Sequence, residues 1–234
     1  MKTSIAIVAI TGLAGAASAD IVVNGAVETF DDSSAISASD GFFSDGGGDF
    51  FTNTADNSFG SFVEYNGADG DFFAAMDING EGGPDTQILS FNTVNITGFT
   101  GLELSVDLAE DDDGTNEDWD TSDFVDIQAS IDGGSFFNIL ELESVGDGDP
   151  FNTAPAVDTT GDGFGDGTVI TDTFSSFTAA IAGSGSTLDL QVVISLDSGD
   201  EDIAIDNVGV TGVPTPGSLA LLGMGGLVAA RRRR

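Results

Sequence analysis

Positive charge in this 234-residue chain is confined to its two ends. The five basic residues are Lys2 and Arg231 to Arg234, histidine is absent, and all forty carboxylates lie between Asp20 and Asp206. The middle of the chain can therefore form no internal salt bridge. Its carboxylates repel one another by about 1 kcal/mol per pair at 4 Å even in bulk water. A fold made from this segment needs screening salt, bound cations or both.

The same charge distribution excludes several classes of function. Binding a nucleic-acid backbone needs Lys and Arg, and an anionic membrane surface attracts basic segments. The chain contains neither His nor Cys, which removes catalytic triads and thiol chemistry. A carboxylate pair, as in glycoside hydrolysis, is the one remaining catalytic arrangement. Forty acids form such pairs by chance, so we expect a protein that is not an enzyme.

The first 19 residues have the layout of a signal peptide. Lys2 is followed by an apolar stretch from Ile5 to Leu13 and by Ala17-Ser18-Ala19, which fits a small-residue cleavage site. The alternative is a buried N-terminal helix, but the composition changes abruptly at Asp20. We therefore predict export, with Asp20 as the first residue of the mature chain.

The C-terminal residues 213–234 have three parts. Val213-Pro214-Thr215-Pro216-Gly217 is followed by a short uncharged apolar stretch and then by four arginines. The apolar stretch is shorter than the roughly 20 residues of a spanning helix. This segment resembles a PEP-CTERM sorting signal, although Thr215 stands where that motif has Glu. The resemblance implies processing by an exosortase, transient membrane anchoring through this segment, and delivery to the cell surface or extracellular matrix. An ordinary membrane anchor is the alternative.

Alternation of apolar and polar residues predicts β-structure between the two ends. The pattern is clearest at 102–108, 125–131, 188–196 and 203–210, and weaker at 21–29, 61–65, 87–96 and 136–142. A change of phase after Asp206 indicates a β-bulge, and Asp132-Gly133-Gly134 predicts a hairpin turn. Residues 173–182 suit a short helix or a strand. The sequence thus predicts an all-β, antiparallel sandwich over 20–212 with acidic, Gly- and Asp-rich loops.

Two segments add a second resemblance. Residues 123–134 and 201–210, the latter containing Ile205-Asp206-Asn207-Val208, are similar to parts of secreted bacterial jelly-roll modules of the lectin-like or carbohydrate-binding type. The resemblance implies a jelly-roll-like arrangement of the strands. It also implies a structural calcium that ties the first strand to the last, through Glu28 or Asp31 and Asp206. The alternative is that Asp206 is exposed on the outer face of the sheet, which strict alternation also allows.

A second candidate calcium site lies within one loop. Asp158, Asp162 and Asp166 match positions 1, 5 and 9 of the EF-hand loop, and Gly163 matches its sharp turn. Val169 stands where that loop has a bidentate Glu, so the loop supplies too few oxygens by itself. A solvated turn is the alternative interpretation.

A third acidic cluster surrounds the single tryptophan of the chain. Eight of the fourteen residues from Glu110 to Asp123 are acidic, and Trp119 lies between Asp118 and Asp120. One interpretation is a ligand contact, with Trp119 as a platform for a sugar ring and the carboxylates accepting hydroxyl hydrogen bonds. The other is a solvated loop whose Trp packs back onto the sandwich. Tyr65 and three Phe-Phe pairs, at 42–43, 50–51 and 72–73, are candidates for the core or for covering a sheet edge. Adjacent residues of a strand point to opposite faces, so one ring of each pair is expected to be exposed or covered by a loop.

Together these features predict an exported, cation-stabilised, non-catalytic binding module associated with exopolysaccharide. The predicted partners are an exosortase and a polysaccharide, and the predicted cofactor is calcium. Two alternatives remain open: an acidic matrix or coat protein with no specific ligand, and a carboxylate-based glycoside hydrolase.

Overall fold

A computed structural model of the protein describes residues 21–31, 34–55, 58–59, 63–68, 70–80, 82–111, 119–145 and 154–216. The predicted signal peptide and residues 217–234 lie outside these ranges. The named elements of the described chain are all β-strands: β1 Ile36–Ala38, β2 Phe43–Ser44, β3 Phe50–Thr54, β4 Ser58–Phe59, β5 Val63–Glu64, β6 Phe72–Met76, β7 Gln87–Phe91, β8 Val94–Asn95, β9 Phe99–Ala109, β10 Phe124–Ile131, β11 Phe137–Ser144, β12 Pro155–Val157, β13 Ser175–Ile181, β14 Thr187–Ser195 and β15 Asp202–Pro214.

The strands form two antiparallel sheets and one short hairpin. The first sheet has the order β1-β7-β14-β10-β11-β12, and β8 also pairs with β14. The second has the order β13-β9-β15-β6-β3-β2, while β4 pairs with β5. The chain crosses between the sheets repeatedly, for example from β9 to β10 and from β14 to β15. The predicted all-β, antiparallel, jelly-roll-like sandwich is thus confirmed.

The main core lies between the two sheets, and the predicted alternation produces it. In β14, Leu188, Leu190, Val192 and Ile194 are all buried, while the residues between them are only partly buried. Successive side chains of a strand point to opposite faces, so the even-numbered residues of β14 meet the inward-facing residues of the other sheet. At about 25 cal/mol per Å², burial of these faces is the main stabilising term of the fold.

A second apolar cluster covers the other face of the β6–β15 sheet. All five residues of β6 are buried, because Phe73 and Ala75 face the main core whereas Phe72, Ala74 and Met76 face this cluster. The Tyr65 ring packs edge-on against Phe72, with their centroids 5.5 Å apart. The predicted opposite orientation of paired Phe residues is therefore correct at 72–73, and both faces are covered.

Both special backbone features predicted from the sequence are present. The β9–β15 register shifts between Asp206 and Gly209, and Asn207 has a φ of 52°, which is the predicted bulge. The turn between β10 and β11 has positive φ at Asp132 and Gly133, as a tight hairpin requires.

The weaker strand predictions need correction. Residues 21–29 form no named strand, because residues 22–26 turn back on themselves and only Glu28 pairs with Val208. The predicted strand at 87–96 is divided into β7 and β8. Residues 173–182, left open between helix and strand, contain β13. In the described part of the chain, no helix has the length and apolar character needed to cross a bilayer.

Candidate metal centre

Strand pairing brings three carboxylates together at one end of the sandwich. Asp123 directly precedes β10, whereas Asp197 and Glu201 lie in the connection between β14 and β15. β10 and β14 are antiparallel neighbours, with Phe124 opposite Ser195. The start of β10 is consequently adjacent to the end of β14, and the three acids converge there although they are distant in sequence.

The three carboxylates are close enough to share one ion. Asp123, Asp197 and Glu201 each offer one carboxylate oxygen, and these oxygens all lie within 4.8 Å of one another. Calcium–oxygen distances are 2.3–2.6 Å, so two ligands of one ion are separated by at most about 5 Å. The separation of the three oxygens therefore fits direct coordination of a single cation.

Burial makes the cluster unfavourable for ionised acids without a counterion. Asp123 is 1% exposed and Glu201 is 2% exposed, while Asp197 is exposed to solvent. Burial, and then the charge of Glu201, raise the pKa of Asp123 well above its usual range. Burial likewise raises the pKa of Glu201. Two buried carboxylates at this distance need a shared proton or a cation.

Backbone hydrogen bonds fix the orientation of two of the acids. Glu201 Oε2 accepts hydrogen bonds from the amides of Asp197 and Ser198, both at 2.7 Å. Asp123 Oδ2 accepts one from the Asp120 amide at 2.5 Å. Asp123 Oδ1 is buried, and no donor among the described residues reaches it. One oxygen of Asp123 thus remains available for a ligand.

The donor set determines which ions fit. All side-chain donors of the cluster are carboxylate oxygens, which suit hard cations such as Ca²⁺ and Mg²⁺. Calcium takes 6–8 oxygens in flexible geometry, so water and backbone carbonyls would complete its shell beside the exposed Asp197. Magnesium demands a nearly ideal octahedron. The donor set therefore fits a hard divalent cation.

Backbone pairing joins the first segment to the last strand at Glu28 and Val208. Glu28 is buried and exchanges two backbone hydrogen bonds with Val208, at 2.8 and 3.0 Å. Asp206 is also buried and accepts a 2.7 Å hydrogen bond from the Asn207 amide. Asp31 is exposed and accepts a hydrogen bond from Thr29 Oγ1. A calcium ion at these residues stays a prediction.

The predicted 158–166 loop is organised by its own amides. Asp158 accepts hydrogen bonds from the amides of Thr160, Gly161 and Gly163 at 2.7–2.9 Å. Although partial burial opposes them, these bonds lower the pKa of Asp158. Asp166 accepts from the Thr159 amide and hydroxyl, while Asp162 is exposed. The carboxylates of Asp158 and Asp166 thus act as turn caps, and their role as calcium ligands stays a prediction.

Trp119 does not offer the exposed platform that one interpretation of the sequence required. Its side chain is 1% exposed and belongs to the main core. The Trp119 carbonyl accepts a 2.7 Å hydrogen bond from the Ser144 hydroxyl, which ties the loop to β11. Asp120 is exposed and caps the following turn through the Ser122 amide, whereas Asp118 lies outside the described residues. Trp119 packs into the core because burial of its large indole ring stabilises the fold more than exposure to water would.

The sequence resemblance covered Asp123 and Glu201, in residues 123–134 and 201–210, but did not predict that the two acids lie together. It gave no indication of Asp197. A usable signal existed, since all three acids flank strongly alternating segments. Joining them required the β10–β14 pairing, which alternation alone does not give.

The first residues of the predicted sorting motif belong to the sheet. Val213 and Pro214 are the last residues of β15, paired with Thr100 and Phe99 of β9. The Thr215 amide donates a 2.8 Å hydrogen bond to the Gly98 carbonyl. Pro216 is the last described residue, and Gly217 lies outside the described ranges.

No protein-family model matches the chain, and no curated protein matches it in sequence. Solved structures with a similar fold include the K1 cleaved adhesin domain of Lys-gingipain from Porphyromonas gingivalis W83, with 18% identity and a TM-score of 0.41 over 80% of this chain and 96% of that one. They also include TmCBM61 in complex with β-1,4-galactotriose, with 10% identity, a TM-score of 0.37, and 77% and 90% coverage. The Stig cyclase Fisc from Fischerella sp. TAU has 10% identity, a TM-score of 0.37, and 71% and 74% coverage. At these levels the likeness does not define a ligand or an activity for this chain.

Proposed function

We propose that this chain is an exported, non-catalytic binding module that is stabilised by calcium and holds polysaccharide at the cell surface or in the extracellular matrix. The observation that carries the calcium part is the buried pair of Asp123 and Glu201. These two carboxylates face each other in a segment, 20–230, that contains no basic side chain. A divalent cation from the surrounding medium would neutralise them and link the loops before β10 and β15.

Thermal unfolding of the purified protein tests this proposal. A ligand that binds only the folded state stabilises it by about 2.7 kcal/mol at a free concentration one hundred times its Kd. For a domain of this size, that corresponds to a rise in Tm of roughly 5 to 10 °C. We expect this rise with millimolar calcium, and its reversal by a chelator. Sodium chloride at matched ionic strength should give a smaller rise, and an equal rise would contradict the proposal.

Export and sorting are proposed from the two ends of the sequence. The signal peptide at 1–19 and the PEP-CTERM-like segment at 213–234 support an exosortase as processing partner and transient membrane anchoring before release. Co-expression with an exosortase should shorten the chain at its C-terminus, as measured by intact mass. Pro214→Ala should reduce this processing, while Thr211→Ala, just outside the motif, should leave it unchanged.

Burial argues against the hydrolase alternative. A glycosidic bond must reach both carboxylates of a catalytic pair, yet Asp123 and Glu201 are both buried. Incubation with a panel of polysaccharides should release no reducing ends.

The alternative of a matrix protein without a ligand is favoured by the high acidity alone, and it predicts calcium-dependent stability without saturable binding of any sugar.

A further inference from the structure

A pocket of about 220 Å³ opens where the segment between β1 and β2 meets the connection between β6 and β7. It is separate from the three carboxylates of the metal centre. Its lining combines an aromatic ring, a carboxylate, an amide and glycine backbone, from Asp40, Phe43, Ile78, Gly82, Gly83 and Gln87. Ligand sites combine apolar walls with a few placed polar groups in this way.

Gln87 is the polar group that points to a ligand. It begins β7 and is 1% exposed. Its Oε1 atom is buried, and within the described chain no donor reaches it. A buried carbonyl oxygen with no partner is costly, so such atoms usually meet water or a ligand. Gln87 also lines the pocket, so a ligand bound there would lie against its side chain.

The other walls complement Gln87. Phe43 is half-buried and offers ring surface, while the Asp40 carboxylate is exposed beside it. The neighbouring Phe42 is 39% exposed and stacks on Phe51 with a centroid distance of 6.4 Å. Aromatic rings pack against the apolar face of a sugar, and carboxylate and amide oxygens accept its hydroxyl hydrogens. The lining therefore presents ring surface and the Asp40 carboxylate acceptor to a ligand rich in hydroxyl donors.

Hydrogen bonds hold the pocket in shape. The Ser39 amide donates to the Ile88 carbonyl at 2.9 Å, and the Ile88 amide donates to Ser39 Oγ at 3.0 Å. These bonds place Asp40 next to the start of β7. On the opposite side, Asn79 Nδ2 donates to Asp85 Oδ1 at 2.9 Å and closes the β6–β7 loop. A preformed site loses less conformational entropy on binding.

Charge and size select among ligands. No basic residue lies between Asp20 and Ala230, so an acidic sugar would meet only repulsion from Asp40. The volume suits one sugar ring better than an oligosaccharide. We propose that this pocket binds one neutral sugar residue of a polysaccharide. This inference rests on the proposed function and deepens it by naming the site and the ligand class.

Nuclear magnetic resonance titration of the full chain with galactose, glucose and mannose tests the inference. With at least one of these sugars, we expect saturable shifts of the Gln87 side-chain amide and of the Gly82 and Gly83 backbone amides. Asp40→Ala should weaken that binding about tenfold, as for loss of a hydrogen bond to a charged group. Phe43→Leu should weaken it as well. Asp40 is exposed, and Phe43→Leu keeps an apolar side chain at a half-buried position, so these variants should fold even if Gln87→Met does not.

Matched ligands and a matched variant decide the outcome. Galacturonate should not bind, and Glu103→Gln, at an exposed position of β9 outside the pocket lining, should bind like the wild type. Absence of shifts with all three sugars at tens of millimolar would overturn the inference, as would saturable binding of tetramethylammonium in their place. Sugar binding that persists in Asp40→Ala and Phe43→Leu would also overturn it, but would leave the proposed function standing. A wild-type chain that binds no polysaccharide in a sedimentation assay would instead contradict the proposed function itself.

Discussion

The carboxylate of Asp123 meets the carboxylate of Glu201 below the protein surface, with an oxygen of each within 4.8 Å of the other. Asp123 belongs to the loop that enters β10, and Glu201 to the loop that enters β15, which lies in the other sheet. Like charges in a poorly solvated place repel strongly. The contact therefore opposes folding when both acids are ionised, and it supports folding once a cation joins them.

Replacing Asp123 with Asn should have opposite effects on stability in the calcium-free and the calcium-bound protein. The substitution keeps the shape of the side chain and removes one of the two buried charges. Without calcium, we expect Asp123→Asn to melt a few degrees above the wild type, because the repulsion with Glu201 is gone. With calcium, the wild type should gain several degrees while the variant gains almost nothing. Differential scanning calorimetry measures both effects.

The matched control for this variant is Asp162→Asn, which removes a charge from the exposed loop after Asp158. It should retain the full calcium response. If Asp162→Asn or Asp206→Asn abolished the response while Asp123→Asn kept it, calcium would bind at one of the sites predicted from sequence.

Stability should fall as pH rises from 5 to 8 in the presence of a chelator. Burial, then Glu141, raise the pKa of Asp126 to about 6. Burial, then Asp126, Asp158 and Glu141, raise the pKa of Glu143 to about 7. A carboxyl whose pKa is higher in the folded state holds its proton more tightly there, so its stabilising contribution is lost as pH rises through the folded pKa.

Urea unfolding at constant ionic strength measures this pH dependence. Glu143→Gln should flatten the slope between pH 6 and 8, since it removes a titrating group and relieves the charge on Asp126. The pH must stay above the sequence isoelectric point of about 4.1, where the chain loses its net charge and its solubility. Stability that increases between pH 5 and 8 would contradict the prediction.

Asn207 should tolerate Gly better than Ala. Its φ of 52° lies in the left-handed region, which costs roughly 1–2 kcal/mol for a residue with a Cβ and no local compensation. Its Nδ2 also donates to Asp107 Oδ2 at 2.9 Å, a hydrogen bond worth about 1 kcal/mol. Asn207→Ala should lose about 2 kcal/mol of unfolding free energy and Asn207→Gly about half as much, by urea denaturation. Equal losses would show that the bulge backbone is not strained.

Leu190→Ala should be among the most destabilising single substitutions in β14. Leu190 is buried in the core, opposite Ala129 of β10 in the register. Truncating a buried leucine typically costs about 2–5 kcal/mol. Gln191→Ala, on the opposite face of the same strand, should cost about 1 kcal/mol or less. Chemical unfolding of the two variants checks the inward and outward assignment of the strand, which would be reversed if Gln191→Ala were the more damaging.

Much of the fold could be predicted where one face of a strand is polar. β10 and β14 alternate cleanly, and the phase change at Asp206 located a bulge that the structure contains. β6 was not predicted, because both of its faces are buried and Phe72 to Met76 show no alternation. The segment at 21–29 alternates weakly, yet residues 22–26 make their own turn, and the segment pairs with β15 through a single bridge at Glu28.

The candidate site was harder to predict than the fold. Forty acids in one segment make each individual acid uninformative. What distinguishes Asp123 and Glu201 is burial on adjacent loops, which depends on the pairing of β10 with β14. Nothing in the sequence indicated the pocket around Gln87. Gln87 is distinguished only by its buried Oε1 atom, which no donor among the described residues reaches.

β15 lies between β9 and β6 in the second sheet, and it continues through Val213 and Pro214. A peptidase that takes its substrate as an extended segment would find these two residues already engaged by β9. Maturation at this motif would then compete with completion of the sheet, and a chain that folds quickly after translocation would be cut more slowly. Under the proposed sorting, the pace of folding would in this way set how long the protein stays anchored before release.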